Sequence, residues 1–220
     1  DRHPHCAWTV IIDESYPDAP FIPELDIVGA THAYSCELDP IDPNDEGNAD
    51  YSGPLLADVD FAAFSHSALV RIADEVCLQM HLLVKSFTIA VEKRAKDDAA
   101  LARSIRTKQL IGIAGVAAAR IHEALKLSSD AKGALRVLEL HPLLNPAAYV
   151  SADTDPDFVH VRTSPAYEDG SWISLVSPVS DAPLQAIVYA VDPHLRAEVS
   201  GTESDWTVRV IETDTAAKKQ

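Results

Sequence analysis

The sequence predicts an α+β fold in which a long antiparallel helical hairpin packs on a mostly antiparallel sheet, preceded by a proline- and acid-rich N-terminal arm. Two helix-periodic segments follow one another directly between residues 61 and 125. Short strand-like segments separated by turn residues occupy residues 158–212. Half of the 14 prolines fall within residues 1–60, together with 14 acidic side chains and a single basic one. We therefore divide the chain into an arm, residues 1–60, and a region with a single core, residues 61–220.

The arm contains two segments with the composition of β-strands. AWTVII, residues 7–12, is rich in β-branched and aromatic residues, and DIVGATHAYS, residues 26–35, is a weaker candidate interrupted by Gly29. These two segments can pair as a β-hairpin. The passage that follows, residues 38–54, has three prolines and no apolar period, which predicts a long loop.

The first predicted helix runs from residue 61 to about residue 95. Asp60 or Ser65 can cap its start, because a side-chain oxygen at that position accepts hydrogen bonds from free backbone N–H groups. A stripe of apolar residues spaced by three or four positions lines one of its faces: Leu69, Ile72, Val76, Met80, Leu83, Phe87 and Val91. Further apolar residues lie outside this stripe: Leu78, Leu82 and Ile89. We therefore expect the helix to be covered on more than one side.

The second predicted helix follows a turn at residues 93–98 and ends near Leu125, with Asp97 or Asp98 as its cap. Its apolar positions are Leu101, Ile105, Leu110, Ile113, Ala117 and Ile121. The glycine- and alanine-rich run at residues 111–119 indicates that another backbone passes close by, since glycine otherwise costs about 1 kcal/mol in a helix.

The remainder of the chain is predicted to hold one short helix and then strands. The helix covers residues 131–140, and its end is marked by HPLLNP. The candidate strands are residues 158–163, 171–177, 184–191 and 205–212. Short connections between neighbouring segments favour an antiparallel meander. Residues 184–191 are apolar on both strand faces, so we expect them at the centre of the sheet.

Histidines and cysteines lie just before the first strand and at the end of the second strand of the predicted N-terminal hairpin. If residues 7–12 and 26–35 pair antiparallel, Cys6 and Cys36 approach each other, with His5 and His32 nearby. Thiolates and imidazoles are the ligands of tetrahedral zinc, and His3 is an alternative to His5 as the fourth ligand. Zinc binding is one interpretation, a Cys6–Cys36 disulfide is a second, and unrelated surface or core residues are the commonest outcome for such a spacing.

The acidic loop DPNDEGNAD, residues 42–50, partly matches the calcium-binding loop of an EF-hand. Pro43 interrupts the pattern, Gly53 occupies the position of the bidentate glutamate, and no helix precedes the loop. A solvated acidic turn is the better interpretation.

Candidate catalytic residues lie on the predicted hairpin. Glu75 and His81 belong to polar rows on the first helix, and His122 and Glu123 lie near the end of the second. Antiparallel packing brings that end towards the start of the first helix, where a carboxylate beside an imidazole can act as a general acid–base pair or hold a metal. The alternative is a solvent-facing row or a buried pair that sets helix register. The established metal and nucleophile motifs are absent.

The tip of the hairpin is basic in an otherwise acidic protein. Six cations fall within 16 residues: Lys93, Arg94, Lys96, Arg103, Arg106 and Lys108. No aromatic residues are interleaved for base stacking, and the net charge of −16 repels nucleic acid and anionic membranes. Docking of an acidic segment, from residues 1–60 or from a neighbouring subunit, explains the tip better.

Two classes of function remain. The first is a non-catalytic assembly or binding protein that forms homo-oligomers through its hairpin and acidic arm, or binds another protein. The second is an enzyme that binds a small-molecule ligand, with or without a metal, and uses Glu75, His81, His122 or Glu123. No apolar run approaches the length of a membrane span, and three cysteines are too few for a disulfide framework, so we expect a cytoplasmic protein.

Overall fold

The computed structural model describes Ser15, residues 24–50 and residues 59–213. The α-helices of this part are α1 (Glu24–Gly29), α2 (His66–Ala95), α3 (Ala99–Leu125), α4 (Ala131–Leu140), α5 (Pro165–Glu168) and α6 (Ala182–Val191). The strands are β1 (Ala152–Asp155), β2 (Phe158–Val161), β3 (Leu195–Gly201) and β4 (Trp206–Glu212). Short 3-10 helices cover Phe61–Ala63, Pro142–Leu144 and Trp172–Leu175. The fold is α+β, as predicted.

The predicted helical hairpin is confirmed as α2 and α3. Both candidate caps at its start are used: Asp60 accepts from the backbone N–H of Ala62 at the 3-10 turn, and Ser65 accepts from that of Ala68 at the start of α2. Asp98 caps α3 through the N–H of Leu101. The two long helices therefore begin where local side chains satisfy their first N–H groups.

The sheet is antiparallel, with strand order β1-β2-β4-β3. In the register of β2 and β4, Val159 lies opposite Val208, and Val161 lies opposite Trp206. All four side chains are buried, and they alternate with more exposed residues along each strand. The predictions of strands at 158–163 and 205–212 are confirmed.

The hairpin packs on the sheet through an intervening helical layer. Both α4 and α6 contact α3 on one side and strands of the sheet on the other. The small residues of α3 lie where α6 passes: Ala114 and Ala118 are fully buried, and a Cβ on Gly115 would lie 3.6 Å from the carbonyl oxygen of Ala186. The close approach predicted for residues 111–119 is therefore made by the backbone of α6.

Three predicted strands differ from the structure. Residues 184–191 belong to helix α6, where Pro183 stands in the first turn and the apolar residues are buried on several sides. Residues 171–177 contain the 3-10 helix Trp172–Leu175. Residues 26–35 form most of α1 and the turns after it, and residues 7–12 lie outside the described part of the chain. A short apolar run fits a strand and a buried helix equally well, so composition alone misassigned these segments.

Among the described residues, no helix combines the length and hydropathy that crossing a bilayer requires.

Candidate functional site

His81 lies at the centre of a buried polar network beneath α2. Its Nε2 is 2.9 Å from the carbonyl oxygen of Asn145, which can only accept, so Nε2 carries the proton and donates. Its Nδ1 therefore accepts from the hydroxyl of Ser171, 2.7 Å away. Burial lowers the pKa of His81, which favours the neutral ring that both hydrogen bonds require.

The network continues to Asp169 through Tyr149. The ring of Tyr149 packs edge-on against that of His81, with centroids 4.9 Å apart. The Tyr149 hydroxyl donates to the Asp169 carboxylate over 2.8 Å, and burial together with this contact raises the pKa of Tyr149. The same carboxylate accepts the backbone N–H groups of His32 and Ala33 at 2.9 and 3.0 Å.

This network joins distant segments and is buried. His81 is 1 % exposed and Ser171 is 2 % exposed, so neither presents a reacting atom to a cavity. Lys85 on α2 donates to the carbonyl oxygen of Asp169 over 2.7 Å, which ties the helix to the same turn. His81 therefore joins α2 to residues 145 and 171, and its predicted catalytic role stays a prediction.

Glu75 lies on the surface of α2 at the edge of a cavity of about 560 Å³. Its carboxylate accepts from Arg71 Nε over 2.8 Å, and Arg71 also donates to the carbonyl oxygens of Leu38 and Asp39. Cys36 lines the same cavity. An ion pair, a thiol and apolar walls give this cavity the mixed polarity of a small-molecule site.

His122 and Glu123 lie in the last turn of α3. The Nε2 of His122 is shielded from solvent and has no hydrogen-bond partner among the described residues, whereas Glu123 is exposed. Within the described residues, no hydrogen bond or ion pair joins Glu75 to either of them. The catalytic roles of these residues stay predictions.

The predicted zinc ligands are only partly within the described chain. His32 contacts Glu168, with 3.0 Å between His32 Nε2 and Glu168 Oε2. Cys36 has a free thiol in the part of the chain that the structure describes, and burial raises its pKa, which disfavours the thiolate that zinc needs. His5 and Cys6 lie outside the described residues. Inside them, no group of three or more His, Cys, Asp or Glu side chains is placed to hold a metal.

Large apolar side chains are exposed on both helices of the hairpin. Of the stripe predicted on the first helix, only Val91 is buried, because α2 turns a different side towards the core. Six large apolar residues form what we call the outer hairpin face: Ile72, Val76 and Leu83 of α2, with Leu101, Ile105 and Val116 of α3. Leu83 is 68 % exposed, and Val76 and Val116 are each 54 % exposed. Between the helices lies a groove of about 490 Å³, lined by Met80, Ile113 and Val116 among others.

Opposite charges occupy the two ends of α2. The basic tip comprises the six cations of residues 93–108 named above. The acidic segment, residues 37–50, holds Glu37, Asp39, Asp42, Asp45, Glu46 and Asp50 and no basic residue. This segment lies against the start of α2, where the N–H of Ser67 donates to Asp45 over 2.7 Å. Among the described residues of the arm, Glu24 forms an ion pair with the tip, through Lys93.

Sequence reasoning missed Tyr149, Ser171 and Asp169, which complete the buried network. No local pattern marks them, because their partners lie far away in the chain. Comparison of the chain with protein-family models, curated proteins and solved structures finds no match.

Proposed function

We propose that the protein is a non-catalytic assembly protein that self-associates through its outer hairpin face. The single observation behind this proposal is that Ile72, Val76 and Leu83, from the most regular apolar stripe of α2, are exposed rather than packed in the core. Monomeric proteins rarely leave large contiguous apolar patches in water, so a partner is expected on this face.

A second copy of the chain is the partner that this surface suits. Two hairpins packed face to face make a four-helix bundle, whose core is supplied by apolar residues such as Val76, Leu83 and Val116 from each copy. A helix of 30 residues is about 45 Å long, which is sufficient length for the roughly 800 Å² per partner of a stable interface.

Light scattering across a concentration series tests the proposal. Wild-type protein is expected to reach twice the chain mass of 23.8 kDa. Leu83→Asp is expected to abolish dimerisation, because each copy loses about 2 kcal/mol of apolar burial and gains a charge in the interface. Val179→Asp is the matched control, since Val179 is exposed but lies far from the hairpin in sequence, in the loop before α6. A monomeric wild-type chain, or a Leu83→Asp dimer as stable as the wild type, would contradict self-association.

A small-molecule enzyme is the second candidate, and one observation favours it. Glu75, a predicted catalytic residue, lines the cavity of about 560 Å³ together with Cys36 and Arg71. A screen across substrate classes that compares the wild type with Glu75→Gln tests this candidate. Turnover lost in Glu75→Gln supports it, and equal turnover in both proteins removes Glu75 from the mechanism.

A further inference from the structure

The two ends of α2 hold charges that cannot neutralise each other within one chain. The acidic segment contacts the start of the helix: the N–H of Asp42 donates to the Ser67 hydroxyl, and Arg71 donates to the carbonyl oxygen of Asp39. The basic tip begins in the last turn, at Lys93 and Arg94. The helix between them spans about 45 Å, more than four times the Debye length of about 10 Å at 0.1 M salt.

Most of these charges have no partner of opposite sign among the residues that the structure describes. In the described part of the chain, no ion pair is formed by Arg94, Lys96, Arg103 or Lys108 of the tip. The same holds for all six carboxylates of the acidic segment. Of these carboxylates, only that of Asp45 belongs to a residue that is not exposed. Both ends of the helix therefore present net charge to a partner.

We propose that two copies pack antiparallel along α2, so that the basic tip of each hairpin binds the acidic segment of the other. This inference rests on the proposed self-association and adds its orientation and its specificity-determining charges. A two-fold axis through the middle of α2, near Met80 and His81, places residues 93–96 of one copy beside residues 65–68 of its partner. Ser67, the residue that Asp42 and Asp45 contact, lies in that stretch.

The opposite orientation is disfavoured by the same charges. In a parallel pair, the basic tip of one copy would face the basic tip of the other, and the two acidic segments would also face each other. Like charges brought together in an interface reduce both the rate of association and the affinity. The apolar face alone does not distinguish the two orientations, so the charged ends decide between them.

Charge reversal tests the orientation in the full-length chain. The tip variant is Arg94→Glu with Lys96→Glu, and the segment variant is Asp39→Lys with Glu46→Lys. Each variant alone is expected to dimerise about tenfold more weakly than the wild type at low salt. A chain with all four substitutions, and an equimolar mixture of the two variants, are expected to recover wild-type affinity. Arg196→Glu with Lys132→Glu changes the net charge as the tip variant does, outside both ends of α2, and is expected to dimerise as the wild type does.

Cysteine crosslinking supplies an independent readout of orientation. In a chain with Cys6→Ser, Cys36→Ser and Cys77→Ala, a protein that carries Lys96→Cys is expected to form a disulfide with one that carries Glu46→Cys. Protein with Lys96→Cys alone is expected to remain uncrosslinked.

The outcomes separate this inference from the proposed function. A dimer that is indifferent to both charge reversals, or that crosslinks through Lys96→Cys alone, overturns the antiparallel arrangement and leaves self-association intact. A wild-type chain that stays monomeric overturns both.

Discussion

His141 Nε2 donates a hydrogen bond to the backbone carbonyl oxygen of Ala114 over 3.1 Å, and neither residue is exposed to solvent. The other ring nitrogen, Nδ1, accepts the N–H of Leu143 at 3.0 Å. The neutral imidazole of His141 thus joins α3 to the turn after α4 by these two hydrogen bonds. His81 makes the corresponding connection from α2 to Asn145, four residues further along the same turn. The two helices of the hairpin are therefore both tied to residues 141–145 by histidines that must stay uncharged.

The stability of the protein is expected to fall as the pH is lowered from about 6.5 to about 4. Burial lowers the pKa of His141 to about 4. In the unfolded chain the same ring has a pKa near 6.5, so between these values the unfolded state binds more protons and is favoured. The stabilisation is fully present above about pH 6.5, and about 2 kcal/mol of it is lost between pH 7 and pH 5. His81, whose pKa burial also lowers, adds a loss of the same sign.

Urea denaturation at a series of pH values measures this loss. His141→Gln is expected to be less stable at pH 7 but to show a smaller fall in stability towards pH 5. Leu143→Ala, which creates a cavity beside the same turn without removing a titrating group, is expected to lower stability but to keep the wild-type pH dependence. An unchanged pH dependence in His141→Gln would assign the effect to other groups.

Asp169→Asn is expected to lower the free energy of unfolding by about 2–3 kcal/mol. The buried carboxylate accepts hydrogen bonds from the Tyr149 hydroxyl and from the backbone N–H groups of His32 and Ala33. Asparagine replaces one of the two accepting oxygens by an NH2 group, which is itself a donor and would leave one of these donors without an acceptor. Denaturation gives the loss, and hydrogen exchange at the amides of His32 and Ala33 should become faster. Glu168→Gln changes the adjacent exposed carboxylate and is expected to cost less than about 0.5 kcal/mol. Equal losses in the two variants would show that the Asp169 contacts do not hold the 31–36 segment.

Gln185→Met is expected to destabilise the edge of the sheet by about 2 kcal/mol and to promote aggregation. The Gln185 amide pairs with both backbone groups of Ala197 on the edge strand β3, donating to its oxygen at 2.6 Å and accepting from its nitrogen at 3.1 Å. Methionine fills a similar volume but leaves both groups unpaired and the edge open to other chains. Thermal unfolding and turbidity measure the two effects. Tyr189→Met on the exposed side of the same helix should change neither, and aggregation equal in both variants would refute the role of Gln185.

Gly133→Ala is expected to cost at least about 2 kcal/mol, whereas Gly115→Ala is expected to be neutral or stabilising. A Cβ on Gly133 would lie 1.8 Å from the carbonyl oxygen of Ser128, so the backbone would have to move. A Cβ on Gly115 would meet Ala186 at an ordinary 3.6 Å, and alanine favours a helix by up to about 1 kcal/mol over glycine. Calorimetric melting temperatures compare the two. Similar destabilisation of both would mean that α3 and α6 are packed more tightly than these distances indicate.

Predictions from sequence succeeded where the controlling interactions are local. The long helices follow from apolar periodicity and from caps one turn away, such as Ser65 and Asp98. The strands at 158–163 and 205–212 follow from alternation of apolar and polar residues. The prediction failed at residues 184–191, because a segment with apolar residues on every side fits a central strand and a buried helix equally well. Strand β1, with the sequence ADTD, has no apolar alternation from which it could be recognised.

The sequence by itself determined that two long helices form, where they begin, and that opposite charges lie at the two ends of α2. Only the tertiary structure decided which side of α2 is buried and which residues meet His81 and Asp169. The physical reason is the range of the interactions. Helix periodicity and capping act within about four residues, whereas the contacts of His81 with Ser171 and of Asp169 with His32 join residues 90 and 137 positions apart. Such contacts form only after other elements have folded against the hairpin, so no local pattern in the chain encodes them.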